Sequence, residues 1–172
     1  MTKDKKEDHL PLLGVGPYYT SFVMITSILA VVFRNTPALS SGKIPSLKTP
    51  FFVIGIILIL FGIYVWALAV IVAKIDKKIK ENKLVTNGIY AWVRNPIYSG
   101  VMITCSGMII AAGNVYFFFL PIVYWLYMTI LMINSEEKWL RDLYGDEYEE
   151  YCKRVNRCIP FPSKSSNKNK SQ

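Results

Sequence analysis

Three long stretches of the chain contain no charged residue, and this pattern determines the expected architecture. They are Tyr18–Phe33, Phe51–Ala73 and Ile97–Ile133, and all 20 basic and 12 acidic residues lie outside them. An amphipathic helix of a soluble protein carries a charged face with a period of 3.6 residues, which these stretches do not. A helix of about 20 apolar residues crosses the hydrocarbon layer of a membrane. The pattern predicts a helical integral membrane protein and argues against a soluble enzyme or a disordered chain.

The last of these stretches is long enough to cross the membrane twice. Its turn signal is Gly113-Asn114, because both residues tolerate the left-handed conformation that ends many helices. We expect spans near Ile97–Ala112 and Val115–Ile133, which makes an all-α bundle of about four transmembrane helices. For the first stretch a cleaved signal peptide is the alternative, but the mixed charges of residues 1–9 argue against it.

Basic residues are distributed unevenly between the two sides of such a bundle. With four crossings, 17 Lys and Arg residues fall on the side of both termini, and 3 fall on the other side. Because basic segments are retained preferentially in the cytosol, we expect both termini and the polar segment of residues 74–96 to be cytosolic.

The spans divide the chain into four regions. Residues 1–17 form a cytosolic or interfacial N-terminus, and residues 18–73 form two transmembrane helices with a short outer loop. Residues 74–162 contain a cytosolic loop, a helical hairpin and a C-terminal amphipathic helix. Residues 163–172 are rich in Ser, Asn and Lys, so we expect a disordered basic tail.

The formal net charge of +8 indicates contact with anionic lipid headgroups rather than with nucleic acid. One hypothesis is therefore a non-enzymatic membrane protein that binds anionic lipid. No sequence feature indicates an oligomeric state.

Histidine and cysteine usage limits the chemistry. His9 is the only histidine, and Cys105, Cys152 and Cys158 do not form a CxxC pair. A zinc site needs four clustered ligands, so no metal site is expected. Any catalysis has to proceed without a histidine base.

The segment Leu84–Gly100 contains a candidate site at the start of the third span. Arg94 precedes the first residue of the uncharged stretch by three positions, and Pro96 suits the first turn of a helix. Asn95 then occupies the N-cap, where its side chain can accept a bond from a backbone N–H. A helix N-terminus beside an arginine can bind a carboxylate. Equally, Arg94 could extend to lipid phosphates and have no catalytic role.

A second polar segment, Ser135–Pro162, follows the last span and predicts an amphipathic helix on the membrane surface. Glu136 and Glu137 lie in its first turn, where carboxylates are costly unless they are paired or hydrogen-bonded. They either pair with Lys138 or Arg141, or one of them reaches under the bundle to hold a polar ligand.

These two segments together resemble the isoprenylcysteine carboxyl methyltransferase family. Four motifs occur in the family's order. The region that contains them extends from Leu84 to Pro162 and makes up nearly half of the chain. They read Leu84-Val85-Thr86-Asn87-Gly88-Ile89-Tyr90, Arg94-Asn95-Pro96-Ile97-Tyr98, Glu136-Glu137 and Gly145-Asp146-Glu147-Tyr148-Glu149-Glu150-Tyr151, followed by Arg154-Val155 and Pro160.

The resemblance implies a membrane methyltransferase that uses S-adenosyl-L-methionine. It implies an acceptor carboxylate on a lipid-linked or apolar molecule, such as a prenylated cysteine, which enters from the bilayer. Arg94 would orient this acceptor, and Glu137 is a second catalytic candidate. The residues implied for cofactor binding are Leu84, Val85, Tyr90, Asn95, Pro96, Ile97, Tyr98 and Glu136.

Two departures from the family pattern concern the acceptor. Asn95 replaces the family's histidine, and Met132 stands where animal members have a substrate-binding arginine. Arg94 or Arg154 would have to replace that arginine. An alternative is N-methylation of a phospholipid amine, in which Glu137 would have to act as the base.

Overall fold

The computed structural model describes residues 15–75 and 83–161, and the regular secondary structure within them is helical. Six α-helices form in this part of the chain: α1 Gly16–Phe33, α2 Lys48–Ile75, α3 Pro96–Ala112, α4 Leu120–Asn134, α5 Glu136–Tyr144 and α6 Asp146–Arg154. The predicted all-α class is confirmed. Predictions for residues 1–14, 76–82 and 162–172, which include most of the N-terminal region and the basic tail, lie outside the described residues.

Among the described residues, three helical segments are long and apolar enough to cross a membrane: Gly16–Phe33, Pro45–Val72 and Val115–Tyr144. Helix α3 is apolar but shorter, with 17 residues. Large apolar side chains cover the outer faces of the long helices, as at Leu60, which is 63% exposed. A surface of this kind is stable in lipid rather than in water, so the chain is an integral membrane protein.

The turn after α3 ends the helix as predicted. Gly113 has φ 68°, and its N–H donates to the carbonyl of Ile110 at 3.0 Å. The helical segment that follows begins at Val115 as expected, but its first residues, 115–117, form a 3₁₀ turn and α4 itself begins at Leu120. This turn is held by the Asn114 side chain, which accepts a bond from the Tyr116 N–H at 3.1 Å.

Asn114 also connects the hairpin turn to the loop between α1 and α2. Its side chain is fully buried, and its Nδ2 donates to the carbonyls of Arg34 and Leu39 at 3.2 and 2.8 Å. A buried amide with several partners holds both loops in one arrangement.

Helices α2 and α3 pack backbone to backbone through four glycines. Gly55 and Gly62 on α2 are seven residues apart, and so are Gly100 and Gly107 on α3. A Cβ atom at Gly62 would lie 2.7 Å from the Gly100 carbonyl oxygen, and one at Gly107 would lie 2.7 Å from that of Gly55. Small residues allow this close approach of antiparallel helices inside a membrane.

Helix α1 packs on the other side of α3 and against α4. The core between them consists of Tyr19, Val23, Met102, Cys105, Tyr124, Met128, Met132 and Cys158. Polar contacts inside it are satisfied, since the Tyr124 hydroxyl lies 2.8 Å from Ser27 Oγ and 3.0 Å from Thr26 Oγ1.

The starts of α1 and α3 and the end of α4 meet at one end of the bundle, where residues 84–98 and 135–161 form what we call the polar end. Gly16 lies against the Tyr98 hydroxyl, and Tyr98 in turn contacts Glu136. The motifs of the two polar segments are therefore brought together.

The predicted C-terminal helix is interrupted, which corrects the expectation of one continuous element. Gly145 has φ 51° and separates α5 from α6. This break allows Tyr148 and Tyr151 to turn inward, where they pack with Val155 and Leu84.

Candidate active site

Glu136 and Glu137 are neighbours in sequence but have different surroundings. The chain bends at Ser135, with φ −128° and ψ −94°, between α4 and α5. Glu136 is half-buried and accepts a hydrogen bond from the Tyr98 hydroxyl. Glu137 is fully buried and contacts arginine side chains. The pair therefore separates the polar end into two subsites.

Three guanidinium groups surround the Glu137 carboxylate. Arg157 binds both carboxylate oxygens through one edge of its guanidinium, with Nε donating to Oε1 at 2.6 Å and Nη2 donating to Oε2 at 2.9 Å. Arg94 Nη2 lies 3.4 Å from Oε1, and Arg141 Nη2 lies 3.7 Å from Oε2. A buried charge is stable only when it is paired in this way. Glu137 is thus a counter-ion for arginines.

The Arg94 side chain is held in place by contacts with Cys152 and Glu137. Its side chain is 7% exposed, and its Nη1 donates to the Cys152 sulfur. Its Nε is buried and has no hydrogen-bond partner among the described residues. An unpartnered buried donor costs about 1–3 kcal/mol, so this guanidinium is kept in position at a cost in stability.

Backbone pairing places Arg157 beside Arg94. The Arg94 N–H donates to the Asn156 carbonyl at 2.8 Å, and the Phe161 N–H donates to the Trp92 carbonyl at 3.2 Å. Residues 156, 157 and 161 therefore pair with the backbone of the segment just before α3. This pairing brings a side chain from the end of the described chain to a carboxylate 20 residues earlier.

A cavity of about 340 Å³ opens beside the two arginines. Its polar lining residues include Arg94, Arg157 and Cys152, and its apolar lining residues include Trp125, Ile159 and Phe161. The three apolar side chains are between 41% and 58% exposed, so this part of the lining is accessible from outside. We call this space the arginine cavity.

The Tyr98–Glu136 pair lies beneath the start of α1. The Tyr98 ring meets the edge of Tyr19 with centroids 5.8 Å apart, and a Cβ atom at Gly16 would lie 3.2 Å from the Tyr98 hydroxyl. No ion pair within the described ranges 15–75 and 83–161 involves Glu136. Its carboxylate can therefore receive a cationic group.

Asn95 begins α3 as predicted, with Pro96 in the first turn, but its side chain does not cap the helix. The Asn95 Nδ2 donates instead to the Arg157 carbonyl at 3.3 Å. The same carbonyl accepts the Asn95 backbone N–H, so pairing with the C-terminal segment outweighs capping. The expected N-cap hydrogen bond is therefore wrong.

The other residues implied for cofactor binding surround this end of the bundle. Leu84 packs against the cluster that contains Tyr151, Val85 is buried, and Ile97 packs against the cluster between α2 and residues 89–93. The Tyr90 carbonyl accepts a hydrogen bond from the Tyr151 hydroxyl at 2.6 Å. Their assignment to a cofactor remains a prediction.

Neither of the other two residues considered for the acceptor lines the arginine cavity. Met132 is fully buried in the core between α1, α3 and α4. Arg154 is exposed, and its Nε donates to the Glu150 carbonyl at 3.3 Å. Besides Arg94, the arginine that lines the arginine cavity is Arg157 rather than Arg154.

Sequence reasoning missed Arg157, although one signal pointed to it. Glu137, a carboxylate directly below a membrane span, required a cationic partner, and only the neighbouring Lys138 and Arg141 were considered. The hydrogen bonds that Arg157 donates to the Glu137 carboxylate raise the pKa of Arg157 above its ordinary value. Its positive charge is therefore permanent.

Comparison with known proteins identifies related sequences. The family model described as phospholipid methyltransferase matches residues 50–147. A protein-S-isoprenylcysteine O-methyltransferase of Schizosaccharomyces pombe is 39% identical over 87 residues, which cover 50% of this chain and 36% of that protein. A probable protein-S-isoprenylcysteine O-methyltransferase of Oryza sativa subsp. indica is 30% identical over 145 residues, covering 78% of this chain and 75% of that protein.

A more distant similarity involves a different methyl acceptor. Methanethiol S-methyltransferase 1 of Bradyrhizobium diazoefficiens is 32% identical over 88 residues, which cover 51% of this chain and 30% of that protein. No solved structure matches the chain significantly. The family model covers more than half of the chain, and the rice relative aligns with most of it. The chain therefore belongs to the isoprenylcysteine carboxyl methyltransferase family.

Proposed function

We propose that this chain is a membrane-embedded methyltransferase that uses S-adenosylmethionine to O-methylate a carboxylate on a lipid-linked or apolar acceptor, such as a prenylated cysteine. The observation that carries the proposal is the division between Glu136 and Glu137. One carboxylate has no cation partner within the described residues, and the other is surrounded by arginines beside a cavity. A cationic cofactor needs a carboxylate without a cation partner, such as Glu136. An anionic acceptor needs arginines beside a cavity, such as those around Glu137.

The residues around Glu136 fit the charge of the cofactor. The Glu136 carboxylate can accept hydrogen bonds from an amino group or from ribose hydroxyls. Tyr98 and Tyr90 provide aromatic rings that attract a sulfonium by cation–π interaction. When bound, S-adenosylmethionine supplies a methyl group that is already activated by its sulfonium sulfur.

The arginine cavity fits the acceptor. An ionised carboxylate needs no general base, so the protein has to orient it and remove water from it. Arg94 donates hydrogen bonds to the carboxylate, and Glu137 holds Arg94 in place through their ion pair. Trp125 and Phe161 provide an apolar surface for the hydrocarbon chain, and their exposure favours entry from the bilayer.

The proposal includes a four-span topology in which α1 to α4 cross the bilayer and the polar end lies in the cytosol. The alternating directions of the four helices and the excess of basic residues on the side of the polar end support it. Helices α5 and α6 then lie at the cytosolic surface, where exposed basic residues meet anionic headgroups.

Methyl transfer in detergent tests the proposed reaction. The full chain is incubated with labelled S-adenosylmethionine and either N-acetyl-S-farnesylcysteine or its carboxamide. The acid is expected to become a methyl ester, while the carboxamide, which has no carboxylate, remains unlabelled. Absence of label in the acid would refute the proposed acceptor class.

A second candidate is N-methylation of a phospholipid amine, which the description of the matching family model favours. An ammonium must lose a proton before it can accept a methyl group, so this reaction needs a base. Both oxygens of Glu137 bind guanidinium groups, which makes it a poor base. With phosphatidylethanolamine as acceptor the rate would rise steeply with pH, whereas a carboxylate acceptor gives a flat profile above its own pKa.

A further inference from the structure

We infer that Arg157 determines acceptor specificity by binding the acceptor carboxylate in the arginine cavity together with Arg94. This inference rests on the proposed O-methylation and names the second residue that recognises the acceptor.

The geometry of Arg157 permits this role. A guanidinium has five N–H donors, and two of them, on Nε and Nη2, are directed at Glu137. The side chain is 23% exposed and lines the cavity, so the donors on its other edge face an accessible space. Binding of one fork edge by Glu137 also fixes the plane of the guanidinium before the ligand arrives.

The balance of charge around the cavity requires one further anion. Arg141 is compensated from outside, because its Nε donates to Glu149 at 2.7 Å. Within residues 15–75 and 83–161, Arg94 and Arg157 then share a single buried carboxylate, that of Glu137. Two largely buried guanidiniums and one carboxylate leave one positive charge, which a single acceptor carboxylate neutralises.

The apolar lining residues of the cavity select the kind of carboxylate. Trp125, Ile159 and Phe161 are apolar and partly exposed. A small hydrophilic anion gains nothing from them, whereas an amphiphilic carboxylate covers them with its hydrocarbon chain. The fitting ligand is an anion attached to an apolar chain.

The test compares a carboxylate with its neutral analogue. Binding of N-acetyl-S-farnesylcysteine and of its carboxamide to the full chain in detergent is measured by calorimetry for the wild type and for Arg157→Ala. We expect the substitution to reduce affinity for the acid roughly ten- to a hundredfold and to leave affinity for the amide unchanged, because only the acid loses a charge-assisted hydrogen bond.

Two further variants separate recognition from structure. Arg141→Ala also removes a guanidinium from Glu137, but Arg141 does not line the cavity, so the preference for the acid is expected to remain. Arg157→Lys keeps the charge without the fork and should give an intermediate preference. Binding of S-adenosylhomocysteine by the same samples reports whether each variant is folded.

The outcomes distinguish this inference from the proposed function. An unchanged preference for the acid in folded Arg157→Ala, or an equal loss in Arg141→Ala, overturns the role of Arg157 even if the wild type methylates the acid. If the wild type prefers the acid through Arg157 but transfers no methyl group to it, the assignment of Arg157 stands and the proposed reaction fails.

Discussion

Glu136 and Glu137 differ in the charges around them, and this difference limits what each carboxylate can do. Glu137 is fully buried and bound on both oxygens by Arg157, so removing it leaves buried cations without a counter-ion. Glu136 is half-buried and is bonded to the uncharged hydroxyl of Tyr98. We therefore expect substitution of Glu137 to affect mainly stability and substitution of Glu136 to affect mainly ligand binding.

Substitution of Glu136 tests its assignment to the cofactor. Glu136→Gln retains the shape of the side chain and an acceptor for Tyr98, but it removes the charge that would attract the cofactor. Affinity for S-adenosylhomocysteine, measured by calorimetry, is expected to fall roughly tenfold or more. In Tyr98→Phe the carboxylate remains, so a smaller loss is expected. Unchanged affinity in Glu136→Gln would exclude this residue from the cofactor site.

Substitution of Glu137 tests its role as a counter-ion. Glu137→Gln should lower the free energy of unfolding by about 3–5 kcal/mol, because breaking a buried ion pair leaves the arginines uncompensated. Chemical unfolding in detergent micelles measures the change. The control is Glu150→Gln, which removes an exposed acid that pairs with Lys153 and should have no measurable effect. Equal stability of the two variants would contradict the counter-ion role.

At the scale of single residues, the sequence identified most of the polar side chains of the site but not the residues that they contact. The resemblance named Arg94, Tyr98 and both glutamates, and the structure brings these residues to one end of the bundle. Arg157 was not predicted, because its contact with Glu137 depends on backbone pairing between segments about 60 residues apart. Local spacing carries no information about such a contact.

The helices follow from local properties of the chain, whereas their packing does not. Runs of apolar residues predicted α1 and α2 closely, and Gly113 ended α3 where expected. The close contact between α2 and α3 was not predicted, because it depends on glycines of two helices meeting face to face. The 3₁₀ turn before α4 was likewise decided by a side-chain contact, that of Asn114 with the Tyr116 N–H, whereas the break at Gly145 coincides with its φ of 51°.

A valine at Gly62 tests the contact between α2 and α3. Its Cβ would lie 2.6 Å from the Thr104 backbone nitrogen and 2.7 Å from the Gly100 carbonyl, neither of which can move independently of its helix. We expect Gly62→Val to destabilise the chain by about 1–3 kcal/mol or more. Leu60→Val, at an outward-facing position of the same helix, should change stability little. Thermal unfolding in detergent compares the two, and similar midpoints would contradict the packing described.

The whole molecule is polarised along the bundle. One end contains the arginine cavity and the two glutamates, and the other contains the loop between α1 and α2, tied to the hairpin turn by Asn114. The sides of the bundle expose apolar residues. On the proposed function, we expect an acceptor with a hydrocarbon chain to reach the cavity from the side and the cofactor to approach from the polar end.

The proposed topology is tested by the accessibility of single cysteines. In a background with Ser at the three native cysteine positions, Lys43→Cys is expected to react with a membrane-impermeant maleimide on intact cells. Glu147→Cys should react only after permeabilisation, because it lies in α6 at the polar end. Both positions are exposed, so accessibility reports sidedness. Labelling of both, or of neither, on intact cells would contradict an odd number of crossings between them.

The sequence by itself determined that this is a helical membrane protein, because charged groups are too costly in hydrocarbon to occur in its long apolar stretches. It also indicated, through ordered motifs, which polar residues to examine. The tertiary structure decided which charges meet: Arg157 with Glu137, Arg94 beside the cavity, and Glu136 apart from both. These contacts depend on the route of the backbone through space, so residue types and spacings alone could not specify them.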